Sequence, residues 1–154
     1  MQNFPHGSEL RKGRVSIEHQ VYLVTSVTCN RQQLFQDFSA GRKVVQALRY
    51  ASDTGKAETL AYVVMPDHIH WLLSLGDNVA LSRPVGAMKR HSALRINELN
   101  SLAGRCVWQQ GFHDHALRSD ESLPAVARYI IANPLRANLV DRIGDYPLWD
   151  AVWL

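Results

Sequence analysis

Residues 63–73 constrain the fold more than any other stretch of this chain, because they place two histidines inside a strongly apolar run. Pro66 and Asp67 interrupt the run and favour a tight turn, which is followed by His68 and His70. Side chains alternate across a β-strand, so both histidines lie on one face while the residue between them anchors the strand in the core. Two neutral imidazoles at this spacing can bind one divalent cation. The stretch therefore predicts a buried strand that carries a candidate metal site.

The length and composition predict a single domain. At 154 residues the chain is long enough to bury one core, and we assign residues 1–154 to one domain with residues 1–19 as a basic N-terminal extension. No apolar run approaches the roughly 20 residues of a membrane helix, and the start lacks the layout of a signal peptide. Cys29 and Cys106 lie far apart in sequence and match neither a CxxC metal site nor a disulfide framework. We therefore expect a protein of the reducing cytoplasm that does not contact a membrane.

The charge distribution is uneven. The formal net charge is +3 and the isoelectric point is near 9.1, which mildly favours a polyanionic partner. Basic residues gather near the N-terminus and between residues 81 and 118, either as solvated faces or as a surface for nucleic-acid phosphates. The residues that we consider for phosphate contacts are Arg11, Lys12, Arg14, Lys89, Arg90 and Arg118. Arg118 has the alternative of pairing with Asp120.

The periodicity of apolar residues predicts an α+β fold. We predict strands at residues 20–28, 58–65, 68–75 and 107–117, and helices at residues 37–51, 81–99 and 123–139. This order of elements indicates one antiparallel sheet with helices packed on one face.

The last predicted helix, at residues 123–139, carries a second set of polar residues. Tyr129 and Asn133 lie one turn apart on the flank of its apolar stripe, and Arg136 projects in nearly the same direction. Pro134 disfavours a regular helix at this point, so we expect a break with Asn133 in the last regular turn. A phenol hydroxyl and an amide oxygen therefore face the same space.

Three motifs together resemble the HUH single-tyrosine transposases, and within them the REP-associated tyrosine transposases. The segments that carry the resemblance are HIH at residues 68–70, WQQGFHDH at residues 108–115 and YIIANPLRANLV at residues 129–140. The resemblance extends from about residue 11 to the C-terminus. It implies the HUH nuclease fold, in which a ferredoxin-like antiparallel sheet is packed with helices.

The resemblance also implies a chemistry. In such transposases two histidines and a polar residue one turn after the tyrosine hold Mg²⁺ or Mn²⁺, which assigns the metal to His68, His70 and Asn133. Tyr129 is then the nucleophile that cuts single-stranded or hairpin DNA through a 5′-phosphotyrosine intermediate. The implied location is the bacterial cytoplasm at the nucleoid. Both a monomer and a homodimer remain open, as does the chain that donates the tyrosine.

A second His-x-His, formed by His113 and His115, needs a separate interpretation. Its middle residue is charged, so we expect neither side of this segment to be buried. The resemblance places it beside the active site, where it supports the metal ligands or contacts DNA, and Arg136 has the same two roles open to it. The alternative is an exposed edge strand.

Three other functions remain open on the sequence. The chain could be a DNA-binding module that has lost its chemistry, or a rolling-circle initiator or relaxase-like nickase that shares the motif. It could also be an unrelated metallohydrolase that uses His68 and His70 to activate water. The metallohydrolase would form no covalent adduct and would tolerate Tyr129→Phe.

Overall fold

A five-stranded antiparallel sheet forms the centre of the molecule. The computed structural model describes residues 20–55 and 57–153. The strands are β1 (Val21–Val27), β2 (Ala57–Met65), β3 (His68–Leu75), β4 (His113–Ala116) and β5 (Trp149–Ala151). Their order across the sheet is β4-β1-β3-β2-β5, so β3 is the central strand.

Helices cover both faces of this sheet. They are α1 (Phe38–Gly55), α2 (Ser82–Leu99), α3 (Leu123–Ile131) and the single turn α4 (Asn133–Arg136). We call the face covered by α1 and α2 the helical face, and the face covered by α3 the site face. None of the helices in the described residues is both long and apolar enough to cross a bilayer.

The central strand shows how one sequence serves two cores. Ile69 and Trp71 point to the helical face, where they join the larger apolar cluster with α1 and α2. Leu72 points to the site face, where it packs with Ala127 and Ile130 of α3 in a smaller cluster. The predicted α+β class is confirmed. The expected packing of helices on one face is correct for α1 and α2. The third helix, α3, buries its apolar stripe against the opposite face of the sheet.

The predicted boundaries were accurate where periodicity was regular. β3 begins and ends where the sequence placed it, and the turn before it forms at Pro66 and Asp67. The strand at residues 107–117 was predicted too long, since only His113–Ala116 pair in the sheet and Trp108 makes an isolated bridge. The helix at residues 123–139 was also too long. It ends at Ile131, because proline at position 134 has no N–H to continue the ladder.

The cysteines are a further correction. The sequence indicated no disulfide, yet the structure joins Cys29 and Cys106, whose Cα atoms lie 6.1 Å apart. A backbone hydrogen bond from Cys29 to Val107 (2.9 Å) brings the two segments together beyond the end of β1. The two cysteines are 77 residues apart in sequence, so their proximity arises from the tertiary fold and not from a local motif.

The central strand also gives a stability prediction. Ile69 is fully buried, so Ile69→Ala is expected to lower the free energy of unfolding by about 2–5 kcal/mol through lost burial and the cavity that remains. Guanidinium unfolding measures the change. Val152→Ala is the control, because Val152 is exposed and its truncation should change stability by less than about 0.5 kcal/mol. A loss below about 1 kcal/mol for Ile69→Ala would contradict the packing described.

Candidate active site

The two histidines of β3 lie together at the start of the strand. His68 and His70 share the site face with Leu72, since all three are even-numbered residues of one strand. Their rings are 5.0 Å apart between centroids and nearly perpendicular, at 78°. The predicted pairing of these side chains on one face is therefore what the structure shows.

Each imidazole is held through its Nδ1 atom. His68 Nδ1 lies 2.6 Å from a carboxylate oxygen of Asp67, and His70 Nδ1 lies 2.8 Å from the hydroxyl of Thr25 on the neighbouring strand. Arg31 donates in turn to the second oxygen of Asp67 at 3.1 Å. Both Nε2 atoms are thus the nitrogens that remain for a ligand, an arrangement typical of metal-binding histidines.

Sequence reasoning missed these two orienting residues. Asp67 directly precedes His68, and this adjacency could have suggested an orienting role. The residue was explained instead by the turn that it forms with Pro66. Thr25 gave no signal, because its contact with His70 depends on the register between β1 and β3.

The electrostatics keep the second histidine neutral. Burial, the neighbouring His68 and the positive charge of Arg136 lower the pKa of His70 to about 4. At neutral pH its ring therefore has a lone pair available for a cation, as a histidine ligand requires. Of the three causes, the charge of Arg136, on the α4 turn, is the smallest.

Tyr129 lies in the last turn of α3, a helix with a defined cap at each end. The Ser122 hydroxyl caps the N-terminus by accepting from the Ala125 N–H at 3.3 Å, and the helix closes at Ala132. Tyr129 is 66% exposed and takes no part in the core, as its predicted place on the flank of the stripe required. Its side chain is therefore largely open to solvent.

Asn133 begins the next turn, α4, instead of lying in the last turn of the preceding helix as predicted. Arg136 connects it to the tyrosine. One guanidinium nitrogen, Nη2, donates to the Asn133 side-chain oxygen (2.6 Å) and to the Tyr129 carbonyl (2.7 Å). The guanidinium carbon also lies 4.0 Å from the centroid of the Tyr129 ring. The three residues form one cluster.

The histidine pair and the Tyr129 cluster come to the same face of the sheet, although no hydrogen bond among the described residues joins them directly. Ile130 and Ile131 belong to the same buried apolar cluster as Val63 and Leu72, which places α3 on the site face. The side-chain hydrogen bonds of His68 and His70 lead to Asp67 and Thr25, as described above.

The donor set of two imidazoles and an amide oxygen fits a divalent cation. Nowhere in the described residues do three His, Cys, Asp or Glu side chains gather closely enough to hold an ion. A third protein donor would therefore have to be of another type, and the Asn133 amide oxygen is the candidate. Imidazole nitrogens suit ions such as Zn²⁺ and Fe²⁺, whereas an amide oxygen and water suit Mg²⁺ or Mn²⁺, so the oxygen donors are what would admit the latter two.

The second His-x-His also lies on the site face, but one of its histidines contacts Glu121. His113 is in register with Thr25, which is in register with His70, so the three form one row across the sheet. His115 Nε2 lies 3.2 Å from Glu121.

The expectation that neither side of this segment is buried was wrong. Asp114 and His115 are 2% and 8% exposed, because pairing with β1 draws the segment into the sheet.

The basic residues predicted to contact phosphate lie in several places. Lys89 donates to the carbonyls of Gln109 (2.9 Å) and Gly111, so it holds that loop. Arg90 is exposed on α2, which covers the helical face and not the site face. Arg118 pairs with Asp120 at 3.2 Å, the alternative that the sequence had left open.

Three further residues in this prediction, Arg11, Lys12 and Arg14, lie outside the described residues. A role for any of the six in DNA binding stays a prediction.

Comparisons with known proteins agree on the family and the fold. A sequence profile described as "Transposase IS200 like" matches residues 16–133. The REP-associated tyrosine transposase of Escherichia coli (strain K12) is 29% identical over 92 residues, covering 58% of this chain and 52% of that protein. A Haemophilus influenzae protein described as a "Putative REP-associated tyrosine transposase" is 27% identical over 99 residues, covering 58% of this chain and 56% of its own length. The chain thus spans about half the length of the curated relatives it matches.

A solved structure has the same fold over nearly the whole chain. It is the structure of a REP-associated tyrosine transposase bound to a REP hairpin, and it matches with a TM-score of 0.70 at 22% sequence identity. The match covers 97% of this chain and 82% of the other. At this identity the likeness establishes the fold.

Proposed function

This chain belongs to the IS200-like transposase family, and on that premise we propose that it cuts and rejoins single-stranded DNA beside hairpins through a covalent bond to Tyr129. The observation that carries the proposal is the placement of an exposed tyrosine, at the end of α3, on the sheet face that presents two oriented, adjacent histidines. A merely structural tyrosine in an amphipathic helix would lie in the apolar stripe.

The proposed reaction is a phosphoryl transfer to the tyrosine. The Tyr129 oxygen attacks phosphorus, a new O–P bond forms, and the bond between phosphorus and the 3′ oxygen breaks. The phenolic proton passes to water at this exposed site, and the departing 3′ oxygen gains a proton to become a hydroxyl. Attack by a 3′ hydroxyl of another strand reverses the sequence, so joining needs no ATP.

His68, His70 and Asn133 are the residues that would hold a divalent cation in this proposal. Bound Mg²⁺ or Mn²⁺ supplies neutralisation of the negative charge that builds up on the phosphate. Asp67 and Thr25 fix the two imidazoles through Nδ1, so that the Nε2 atoms are the ones that would bind the cation.

Hairpin DNA is the proposed substrate class. A relative of the same fold is described as bound to a REP hairpin, and curated relatives carry REP-associated transposase names. The chemistry itself adds a reason for single strands. A phosphate in a duplex is hard to bring between Tyr129 and the histidines without local unpairing, which costs a few kcal/mol.

The substrate proposal is tested with one 3′-labelled oligonucleotide in two forms. The single-stranded form carries a palindromic hairpin and a flanking tail, and the second form has the tail annealed to its complement. We expect the annealed tail to be cut at least about 10-fold more slowly, because unpairing must precede attack. Labelled products are measured on denaturing gels with Mg²⁺ or Mn²⁺. Equal rates on both forms would contradict the preference for single strands.

A further inference from the structure

Arg136 makes three contacts that converge on two proposed functional residues. Its Nη2 donates to the side-chain oxygen of Asn133 and to the backbone carbonyl of Tyr129, at 2.6 and 2.7 Å. Its guanidinium group also lies over the Tyr129 ring, with 4.0 Å between the guanidinium carbon and the ring centroid. The same side chain thus contacts the proposed nucleophile and the proposed third metal donor.

Tyr129 does not pack in either apolar cluster, so its contacts with Arg136 take the place of core packing. The ring is 66% exposed and lies outside both apolar clusters, so neither core restricts its rotamer. A guanidinium on the face of an aromatic ring is attractive, and a planar group with several N–H donors can stack and donate at once. The Arg136 contact is therefore the described interaction that restrains the Tyr129 ring.

Asn133 is restrained by the same group. A side-chain amide can present either its oxygen or its nitrogen in a given direction. Donation from Arg136 selects the oxygen, and an amide oxygen has two lone pairs, of which this contact uses one. Arg136 has no carboxylate partner among the described residues, so no ion pair competes for these contacts.

We propose that Arg136 is a positioning residue that fixes the Tyr129 ring and the Asn133 amide oxygen in one shared orientation. This proposal rests on the function proposed above, because the orientation matters only if Tyr129 is the nucleophile and Asn133 is a metal donor. It differs from a direct phosphate contact. A phosphate contact would contribute mainly to DNA affinity, whereas a positioning residue contributes to the rate at which bound DNA is attacked.

The first test needs neither DNA nor metal. Ring resonances of the five tyrosines are recorded in ¹³C-tyrosine-labelled protein, and the Tyr129 signal is identified by its loss in Tyr129→Phe. Arg136→Met keeps most of the aliphatic stem but removes the guanidinium, and we expect it to shift the Tyr129 signal and leave the other four in place. Arg142→Met is the matched control, because Arg142 pairs with Asp145 and its side chain is 79% exposed. A Tyr129 signal unmoved in Arg136→Met would overturn the proposal.

The second test separates rate from affinity. In single-turnover reactions with saturating hairpin DNA, we expect Arg136→Met to form the covalent adduct roughly 10–100-fold more slowly, the effect of a misplaced reacting group. Arg136→Lys should not restore the rate, because an ammonium keeps the charge but cannot stack and donate in the same way. Full rescue by lysine would overturn the proposal.

The dissociation constant for hairpin DNA completes the second test. It should change by less than about threefold in Arg136→Met, with the same dependence on salt. A loss of affinity matched to the loss of rate, with the salt slope lowered by roughly 0.7, would make Arg136 a phosphate contact and overturn the proposal. If the wild-type protein forms no adduct, the proposed function fails, while the tyrosine resonances still decide whether Arg136 positions the ring.

Discussion

Tyr129→Phe is expected to abolish the covalent protein–DNA adduct while hairpin binding stays unchanged. The substitution removes the attacking oxygen and keeps the aromatic ring, so the approach of the Arg136 guanidinium to the ring face can persist. Removing the nucleophile of an enzyme typically costs on the order of 10⁴-fold or more in rate. The label must be on the 3′ end of the DNA, because that fragment is the one retained on the tyrosine. Adduct is then measured as labelled protein on denaturing gels.

Tyr50→Phe is the matched control for this prediction. Tyr50 is also partly exposed, at 44%, but lies on α1 and stacks on His91 with 4.4 Å between ring centroids. Its variant should form the adduct at the wild-type rate. An adduct in Tyr129→Phe would mean that another residue is the nucleophile. Cleavage without any adduct, tolerant of Tyr129→Phe, would favour a metallohydrolase that activates water.

His68→Ala and His70→Ala are each expected to reduce cleavage more than about 100-fold, because the proposed cation contributes several kcal/mol to transition-state stabilisation. DNA binding should largely survive, since it depends mainly on phosphate contacts with basic residues. EDTA added to the wild-type protein should have the same effect, and Mg²⁺ or Mn²⁺ should reverse it. Cleavage rates and dissociation constants are measured on the same hairpin. Undiminished cleavage in metal-free buffer would reject a metal role for the pair.

A graded variant makes the same prediction sharper. Thr25→Val keeps the shape of the side chain but removes the hydroxyl bonded to His70 Nδ1, and it should cost roughly 10–100-fold in cleavage or metal affinity. His91→Ala serves as the histidine control, because His91 lies on α2, across the sheet from the site. Its cleavage rate should equal that of the wild type. If Thr25→Val also matched the wild type, the orienting role assigned to Thr25 would be wrong.

The features that sequence predicted well are those encoded by local spacing. The histidine pair followed from strand alternation, and the Tyr129 cluster followed from helical spacing, since positions 129, 133 and 136 lie three to four residues apart. The turn at Pro66 and Asp67 then fixed where β3 begins. These patterns depend on a few neighbouring residues and need no knowledge of the rest of the chain.

The features that sequence missed depend on contacts between distant segments. The bond between Thr25 and His70 joins residues 45 apart, and the cysteine bridge joins residues 77 apart. The short strand β5 pairs with β2 through three residues only, so its own sequence carries little periodic signal. The sequence of α3 shows an apolar stripe but not which face of the sheet receives it, and in the structure that face is the one opposite α1 and α2.

The strict alternation along β3 bears on how this protein could change in evolution. Because odd positions serve one core and even positions serve both the other core and the histidine pair, deleting or inserting one residue after Asp67 would exchange the two sets. Ile69 and Trp71 would then point to the site face, and the imidazoles would enter the apolar interior beneath α1 and α2. Point substitutions can adjust this strand one residue at a time, but a change in its length by one is expected to disrupt both cores and the proposed catalytic site together.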